Sequence, residues 1–285
     1  MLVTTSEMFK QAEMGGYAVP SANFLDYRMA SAFVKKAESL NMPLILSFAQ
    51  VHTSVLPLED AAAIGLHLAR NATVPVALHL DHGEDEKTIE KAIMLGFTSV
   101  MIDASTCEFN ENIAITKRVV DLAHSHGVVV EAELGHVGSG ESLEAQEESD
   151  SIYTDPKQAD LFCKKTGIDS LAISIGTAHG HYKGVPKINF ERLEEVQKET
   201  RTPLVLHGGS SSGDENLHRC ARNGICKINI FTDFITAAHN VIYEEKFDDM
   251  MVLNQAVSET YEETLGHCFG VFATKKWEVS NETNV

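Results

Sequence analysis

Close cysteine pairs, positive charge and long apolar runs are what this sequence is short of. Its five cysteines, Cys107, Cys163, Cys220, Cys226 and Cys268, are odd in number and scattered. None forms the close pair that holds structural zinc, so they read as reduced, mostly buried thiols. Lys and Arg together number 23 against 41 Asp and Glu, a formal net charge of −18. Such a chain repels polyanions, which argues against nucleic acid and anionic membrane as partners. No apolar stretch is long enough to span a bilayer, and the start, MLVTTSEMFKQAEMGGYAVP, lacks the basic region and apolar core of a signal peptide. The expectation is a soluble cytoplasmic protein with a small-molecule partner.

What is present is ample material for a core, since 44% of the 285 residues are hydrophobic and 22% charged. A barrel of alternating strands and helices commonly reaches about 250 residues as one unit, so one domain over 1–285 is the default. Short apolar runs alternate with amphipathic segments along the whole chain. Strands are expected at Tyr17–Asn23, Pro43–Ala49, Pro75–His82, Ser99–Ala104, Val128–Leu134, Ser170–Gly176, Pro203–Gly208 and Ile225–Phe231. Between them lie helical patterns such as TIEKAIMLG, with Ile89, Ala92 and Ile93 on one side. Gly96, Gly127, Gly167 and Gly224 close helices, and Pro43, Pro75 and Pro203 open strands where a missing N–H costs least. Eight such units without a glycine-rich dinucleotide fingerprint predict an α/β fold, a closed (β/α)8 TIM barrel. One interruption, HVGSGESLEAQEESDSIYTDP, is acidic and aperiodic, and reads as a mobile flap around 136–155.

In such a barrel the C-terminal ends of all strands share one rim, where distant residues become neighbours. The third strand ends in His79, Asp81 and His82, the fourth in Asp103, the fifth in Glu131 and Glu133. The sixth runs into GTAHGHYKG with His179 and His181, and the seventh ends in HGGSSSG with His207. Three imidazoles from three strand ends match a catalytic zinc site with an open position, and His82, His179 and His207 are assigned to it. His79, deeper in its strand, is read as a supporting residue. His124 and His126 fall in the last turn of a helix, where a cation suits the dipole. The glycine-rich turns after strands six and seven, with NIFTDF after strand eight, expose backbone N–H groups where these barrels bind phosphate. Gly180, Lys183, Gly208, Ser210, Asn229 and Thr232 are the candidates. Metal, phosphate and free carboxylates together point to a phosphorylated carbonyl substrate.

The segments LDHGEDEKTIEKAIMLGFTSVMIDAS, VVVEAELGHVG, DSLAISIGTAHGHYKG, PLVLHGGSSSG and GICKINI resemble those of class II, zinc-dependent ketose-bisphosphate aldolases, the fructose- and tagatose-bisphosphate aldolase group. The likeness runs in family order from Met1 to the ATKK near the end. It implies zinc on the three histidines, with Asp81 protonating or polarising the aldehyde-side oxygen. Asp103 and Glu133 match positions at a secondary divalent cation site. Glu141, in the flap, matches the mobile acid that moves the proton on the dihydroxyacetone phosphate carbon. The glycine-rich residues match the phosphate cradle, with a monovalent cation, Na+ or K+, often nearby. The implied activity is reversible cleavage of a ketose 1-phosphate or 1,6-bisphosphate to dihydroxyacetone phosphate and an aldehyde, in a homodimer or homotetramer.

Substrate specificity is expected at Asn23, Phe231 and Ile235. Phe231 stands where fructose-type members usually have aspartate and tagatose-type members a small residue. Ile235 stands where some carry arginine for the distal phosphate, and the family's Asp-Pro-Arg stretch and its Gly-Ser before the final lysines are missing. These departures leave open a non-catalytic, aldolase-like subunit that binds phosphosugar or stabilises a partner. A lysine-dependent aldolase would need a lysine on the rim. Lys227 instead falls near the start of strand eight, and strand six has none at its end.

Overall fold

Eight apolar runs become eight parallel strands because each is covered on both faces, by the barrel interior and by the helices outside. The strands are β1 (Val19–Asn23), β2 (Leu44–Ala49), β3 (Val76–Gly83), β4 (Ser99–Ile102), β5 (Val129–Leu134), β6 (Ser170–Ile173), β7 (Leu204–Leu206) and β8 (Ile225–Ile230). In this computed structural model, which describes residues 1–135, 153–178, 180, 186–244 and 246–278, each strand pairs with its sequence neighbours. β1 also pairs in parallel with β8, so the sheet closes as a (β/α)8 barrel.

The punctuation expected from the sequence has physical counterparts. Pro43, Pro75 and Pro203 each sit one residue before a ladder begins. Helix α4 (Glu86–Leu95) starts where Asp85 Oδ1 accepts the Thr88 N–H at 2.9 Å, and it stops at Gly96 in the left-handed conformation. Helix α6 (Pro156–Thr166) starts in the same way from Asp155. Its N-terminal approach is pinned by Thr154, whose N–H donates to the Ser174 carbonyl at 3.0 Å. Residues 136–152 of the flap stretch lie outside the described residues.

The remaining described helices are α1 (Ser6–Gly15), α2 (Tyr27–Leu40), α3 (Leu58–Asn71), α5 (Phe109–Ser125), α7 (Phe190–Glu199), α8 (Asp214–Arg222), α9 (Thr232–Glu244) and α10 (Met250–Val271). The principal core lies between sheet and helices and includes Phe24, Phe33, Phe48, Phe97, Phe162 and Phe234. A second cluster joins Met8, Phe9 and Ala12 of α1 to Val19, Ile45, Ala77 and Cys226 near the strand beginnings. Helix α1 therefore plugs the N-terminal end of the barrel, and the C-terminal end is left for chemistry. Strands β4, β6 and β7 are shorter than the apolar runs suggested, because Asp103, Ser174 and His207 onward leave the ladder to build the rim.

Candidate active site

Strand β3 supplies two adjacent residues to the same site, which regular strand geometry forbids, since neighbours point to opposite faces. A register irregularity resolves the conflict. Leu80 pairs with Val100 but Gly83 with Ile102, so β3 carries one residue more than β4 over this interval. His82, inside the bulge, has φ of 45°. The bulge turns His82 back toward the mouth beside Asp81, and the Asp103 N–H fixes it by donating to the Gly83 carbonyl at 2.9 Å.

Around this point the rings are held in one orientation each. His207 Nε2 donates to Glu131 Oε1 at 2.8 Å, which leaves Nδ1 facing His82 Nε2 at 2.8 Å. His82 Nδ1 donates to Asp103 Oδ2 at 2.8 Å. Burial lowers the pKa of His207 and the neighbouring His82 adds to this, against the smaller pull of Glu131, so the ring is neutral. For His82 burial acts downward too, but Asp81, the Asp103 hydrogen bond and Glu133 outweigh it and raise the pKa to about 9. Two imidazole nitrogens thus converge on one position with a proton between them. A divalent ion binding there would displace that proton, because a ligating imidazole must offer its lone pair.

Asp81 lies beside them, buried. Its Oδ2 accepts from Asn23 Nδ2 and its Oδ1 from Asn229 Nδ2, both at 2.8 Å. Burial would raise the carboxyl pKa, yet His82, His207 and Lys227 outweigh it and hold the group well below the usual range. The side-chain oxygens of both asparagines are buried and have no hydrogen-bond partner among the described residues. Asp81, His82 and His207 each bring a ligand atom within 4.8 Å of the others, and so do His82, Asp103 and Glu133. The donor set, two imidazoles and flanking carboxylates, suits a borderline divalent ion such as zinc.

Beneath the rings lies a buried network whose residue types, but not whose meeting, were visible in the sequence. Lys227 Nζ donates to both Glu131 oxygens, at 2.9 and 2.7 Å, and to His79 Nε2 at 3.1 Å. His79 Nδ1 in turn donates to Ser99 Oγ at 2.7 Å. Burial and the adjacent ammonium push the His79 pKa down to about 3, so this ring stays neutral. For Glu131 burial acts upward, but Lys227 and the His207 hydrogen bond keep the carboxylate ionised. Glu131 thereby fixes the His207 tautomer, and Lys227 neutralises Glu131 where no water reaches.

A cleft of about 370 Å³ opens above, lined by Asp81, His82 and Asp103 together with Asn23, Gly180, Gly208, Ser210, Asn229, Phe231 and Thr232. Gly208 has φ of 65°, and a Cβ there would lie 2.3 Å from the Ala178 carbonyl oxygen, so only glycine lets the two rim turns cross. Ser210 Oγ accepts the N–H groups of Phe231 and Asp233, at 3.2 and 3.3 Å, at the start of α9. The fold thus brings together Asn23, Asp81, His82, Asp103, Glu133, His207 and the described phosphate candidates. Ile235, one turn along α9 and 37% exposed, is not among the described residues lining the cleft. His179, Lys183 and Glu141 lie outside the described residues. The lining also contains Glu84, just past β3, and Val51 and His52, which the sequence did not single out because nothing in a 3-10 turn marks it as facing the rim.

Residues 3–276 match the model of the family described as fructose-bisphosphate aldolase, class II. Among solved structures, the chain is similar to the YdjI aldolase from Escherichia coli K12, at 34% identity and TM-score 0.87 over 96% of this chain and 98% of that one. A putative fructose-1,6-bisphosphate aldolase from Coccidioides immitis shares the fold at 24% identity and TM-score 0.84, over 94% of this chain and 95% of that one. A fructose-bisphosphate aldolase from Campylobacter jejuni does so at 21% and 0.80, over 95% of each chain.

Proposed function

The chain belongs to the class II fructose-bisphosphate aldolase family, and from that premise we propose that the cleft above β3 and β7 is where it cleaves a ketose 1-phosphate or 1,6-bisphosphate. The reaction is a reversible, metal-dependent aldol cleavage to dihydroxyacetone phosphate and an aldehyde. The observation that carries the assignment to this cleft is the pair of imidazole nitrogens facing each other 2.8 Å apart, each with its second nitrogen committed to a carboxylate. His82 and His207 would hold zinc, with His179 as the third ligand on the family resemblance. Bound zinc supplies Lewis acidity at the substrate carbonyl, worth several kcal/mol of charge stabilisation.

The chain's own residues carry the proton steps. As the C3–C4 bond breaks, its electron pair passes to C3 and the C4 hydroxyl becomes the aldehyde. Asp81, ionised and held by two amides, accepts the C4 hydroxyl proton in cleavage and returns it in condensation. Glu141 gives C3 its proton, an assignment that rests on the resemblance. The oxygens of Asn23 and Asn229, which have no partner among the described residues, are suited to accept substrate hydroxyls. Gly208, Ser210 and the first turn of α9 would take the C1 phosphate, with Gly180, Lys183 and Thr232 beside them. On the resemblance, Asp103 and Glu133 would serve a second divalent ion beside the first. On the resemblance, Na+ or K+ would sit near the phosphate and the protein would work as a homodimer or homotetramer, while length and composition favour one domain and a cytoplasmic place. No helix among the described residues is long and apolar enough to cross a membrane.

The test is a retro-aldol screen of ketose 1-phosphates and 1,6-bisphosphates, reading dihydroxyacetone phosphate release. Release that stops after chelation and returns with zinc is expected. Release unaffected by thorough chelation would contradict the metal assignment.

A further inference from the structure

One side of the cleft has a chemistry that the reaction described so far does not use. It is built by the 3-10 turn Gln50–Ser54 after β2, together with Phe231 at the end of β8. The His52 ring lies against the Phe231 ring, with centroids 4.6 Å apart and planes at 41°, and meets Phe48 edge-on at 6.2 Å. His52 Nδ1 is buried and has no hydrogen-bond partner among the described residues. Val51, largely exposed, and Ala49 continue the apolar surface.

The turn is clamped to β3 and α4 through Gln50, whose Nε2 donates to Asp85 Oδ2 at 2.7 Å while its Oε1 accepts the Glu84 N–H at 2.8 Å. This clamp sets Glu84 beside the mouth. Among the described residues that line the cleft, the charged side chains other than His82 of the ring pair are Asp81, Glu84 and Asp103, all acidic. Burial lowers the pKa of His52, against a smaller opposing pull from Asp81, so the ring is neutral near pH 7 and brings no positive charge.

An anionic group needs charge-assisted donors when it leaves water, and this side of the cleft offers an aromatic face, an imidazole nitrogen and carboxylates. A chain of CH–OH units fits the same surface well. Its carbon side can lie on Phe231, and a hydroxyl can meet the idle Nδ1 of His52. We infer that His52 and Phe231 form the aldehyde-end specificity wall, and that the aldehyde released and taken up here is an uncharged hydroxyaldehyde rather than an aldehyde phosphate. The inference rests on the aldolase reading above and narrows its substrate to ketose 1-phosphates without a second phosphate. A buried polar atom that must find a partner discriminates far better than apolar contact does, so the preference should be large.

Two measurements separate this inference from the reading beneath it. Exchange of the carbon-bound hydrogens of dihydroxyacetone phosphate into D2O needs no aldehyde and reports the donor half of the reaction alone. Condensation of dihydroxyacetone phosphate with glyceraldehyde, with a neutral four-carbon aldose, and with glyceraldehyde 3-phosphate then ranks the acceptors by kcat/KM. The expected result is exchange, together with at least a tenfold preference for the better neutral acceptor over the phosphorylated one. Exchange with any smaller preference overturns the inference and leaves the aldolase reading standing. Neither exchange nor condensation by the zinc-loaded protein overturns both. In His52→Ala and Phe231→Ala the ratio of neutral to phosphorylated kcat/KM should fall at least threefold; a ratio unchanged in both variants overturns the assignment of the pair.

Discussion

Replacing Glu131 with glutamine probes the layer that holds the metal site without touching the cleft. Glutamine preserves shape but removes the charge that pairs with Lys227 Nζ at 2.7 and 2.9 Å and accepts from His207 Nε2 at 2.8 Å. Both side chains of the ion pair are buried, at 2% and 0% exposure, so Lys227 would be left without its counter-charge in a dry interior. Breaking a buried pair from one side costs about 3–5 kcal/mol. The amide retains one acceptor oxygen, which places the expected loss near the lower end, and a loss of about 3 kcal/mol corresponds to a fall in Tm on the order of 5–10 °C for a chain of this size. His207 also loses the carboxylate that fixes its tautomer, which should weaken zinc binding by about 10–100-fold. Unfolding is measured on zinc-free protein, so that metal binding does not enter the stability, and affinity by competition with a chromophoric chelator. Adding Lys227→Met should restore much of the stability, because the ammonium left without its counter-charge is gone, while zinc binding stays weak. The reasoning is refuted if Glu131→Gln unfolds within 1 °C of the parent and binds zinc within twofold of it.

Three further outcomes follow from the same geometry. Asp81→Asn should lower kcat by about 10²–10⁴-fold with zinc content unchanged by elemental analysis, since the amide cannot take the C4 hydroxyl proton. Gly208→Ala should destabilise by at least about 1–2 kcal/mol, the cost of a left-handed backbone for a residue with a Cβ, and should raise the KM for dihydroxyacetone phosphate, because its methyl group meets the Ala178 carbonyl. Asp85 has its pKa lowered chiefly by the Thr88 N–H, so its capping contribution is present above the unfolded value, about 3.9, and disappears as the pH falls through the lower folded value. Asp85→Ala should therefore cost about 1 kcal/mol at pH 7 and progressively less as the pH falls below the unfolded value, as denaturant unfolding across that range would read.

The barrel was legible because its punctuation is local. Pro43, Pro75 and Pro203 mark strand entrances by chemistry confined to one residue, and the apolar runs between them leave little choice of secondary structure. The meeting of His82 and His207 was legible for a related reason, since strand ends in a barrel share a rim whatever their separation in sequence. The network below was not. Lys227 sits in the apolar run ICKINI, and its partner Glu131 lies 96 positions earlier, so only closure of the barrel brings β5 and β8 side chains together. The bulge at His82 was equally hidden, because an extra residue in β3 shows only against the register of β4. His52 escaped notice because its place in the site depends on a 3-10 turn held down by Gln50, a contact of side chain to strand that no periodicity encodes.

The central claim is a divalent ion bound between His82 and His207 at the C-terminal mouth. Anomalous diffraction at the zinc edge, from crystals of the zinc-loaded protein, tests it directly. A peak is expected about 2.0–2.1 Å from His82 Nε2 and from His207 Nδ1. A fully active, zinc-loaded protein whose anomalous signal lies elsewhere would contradict it.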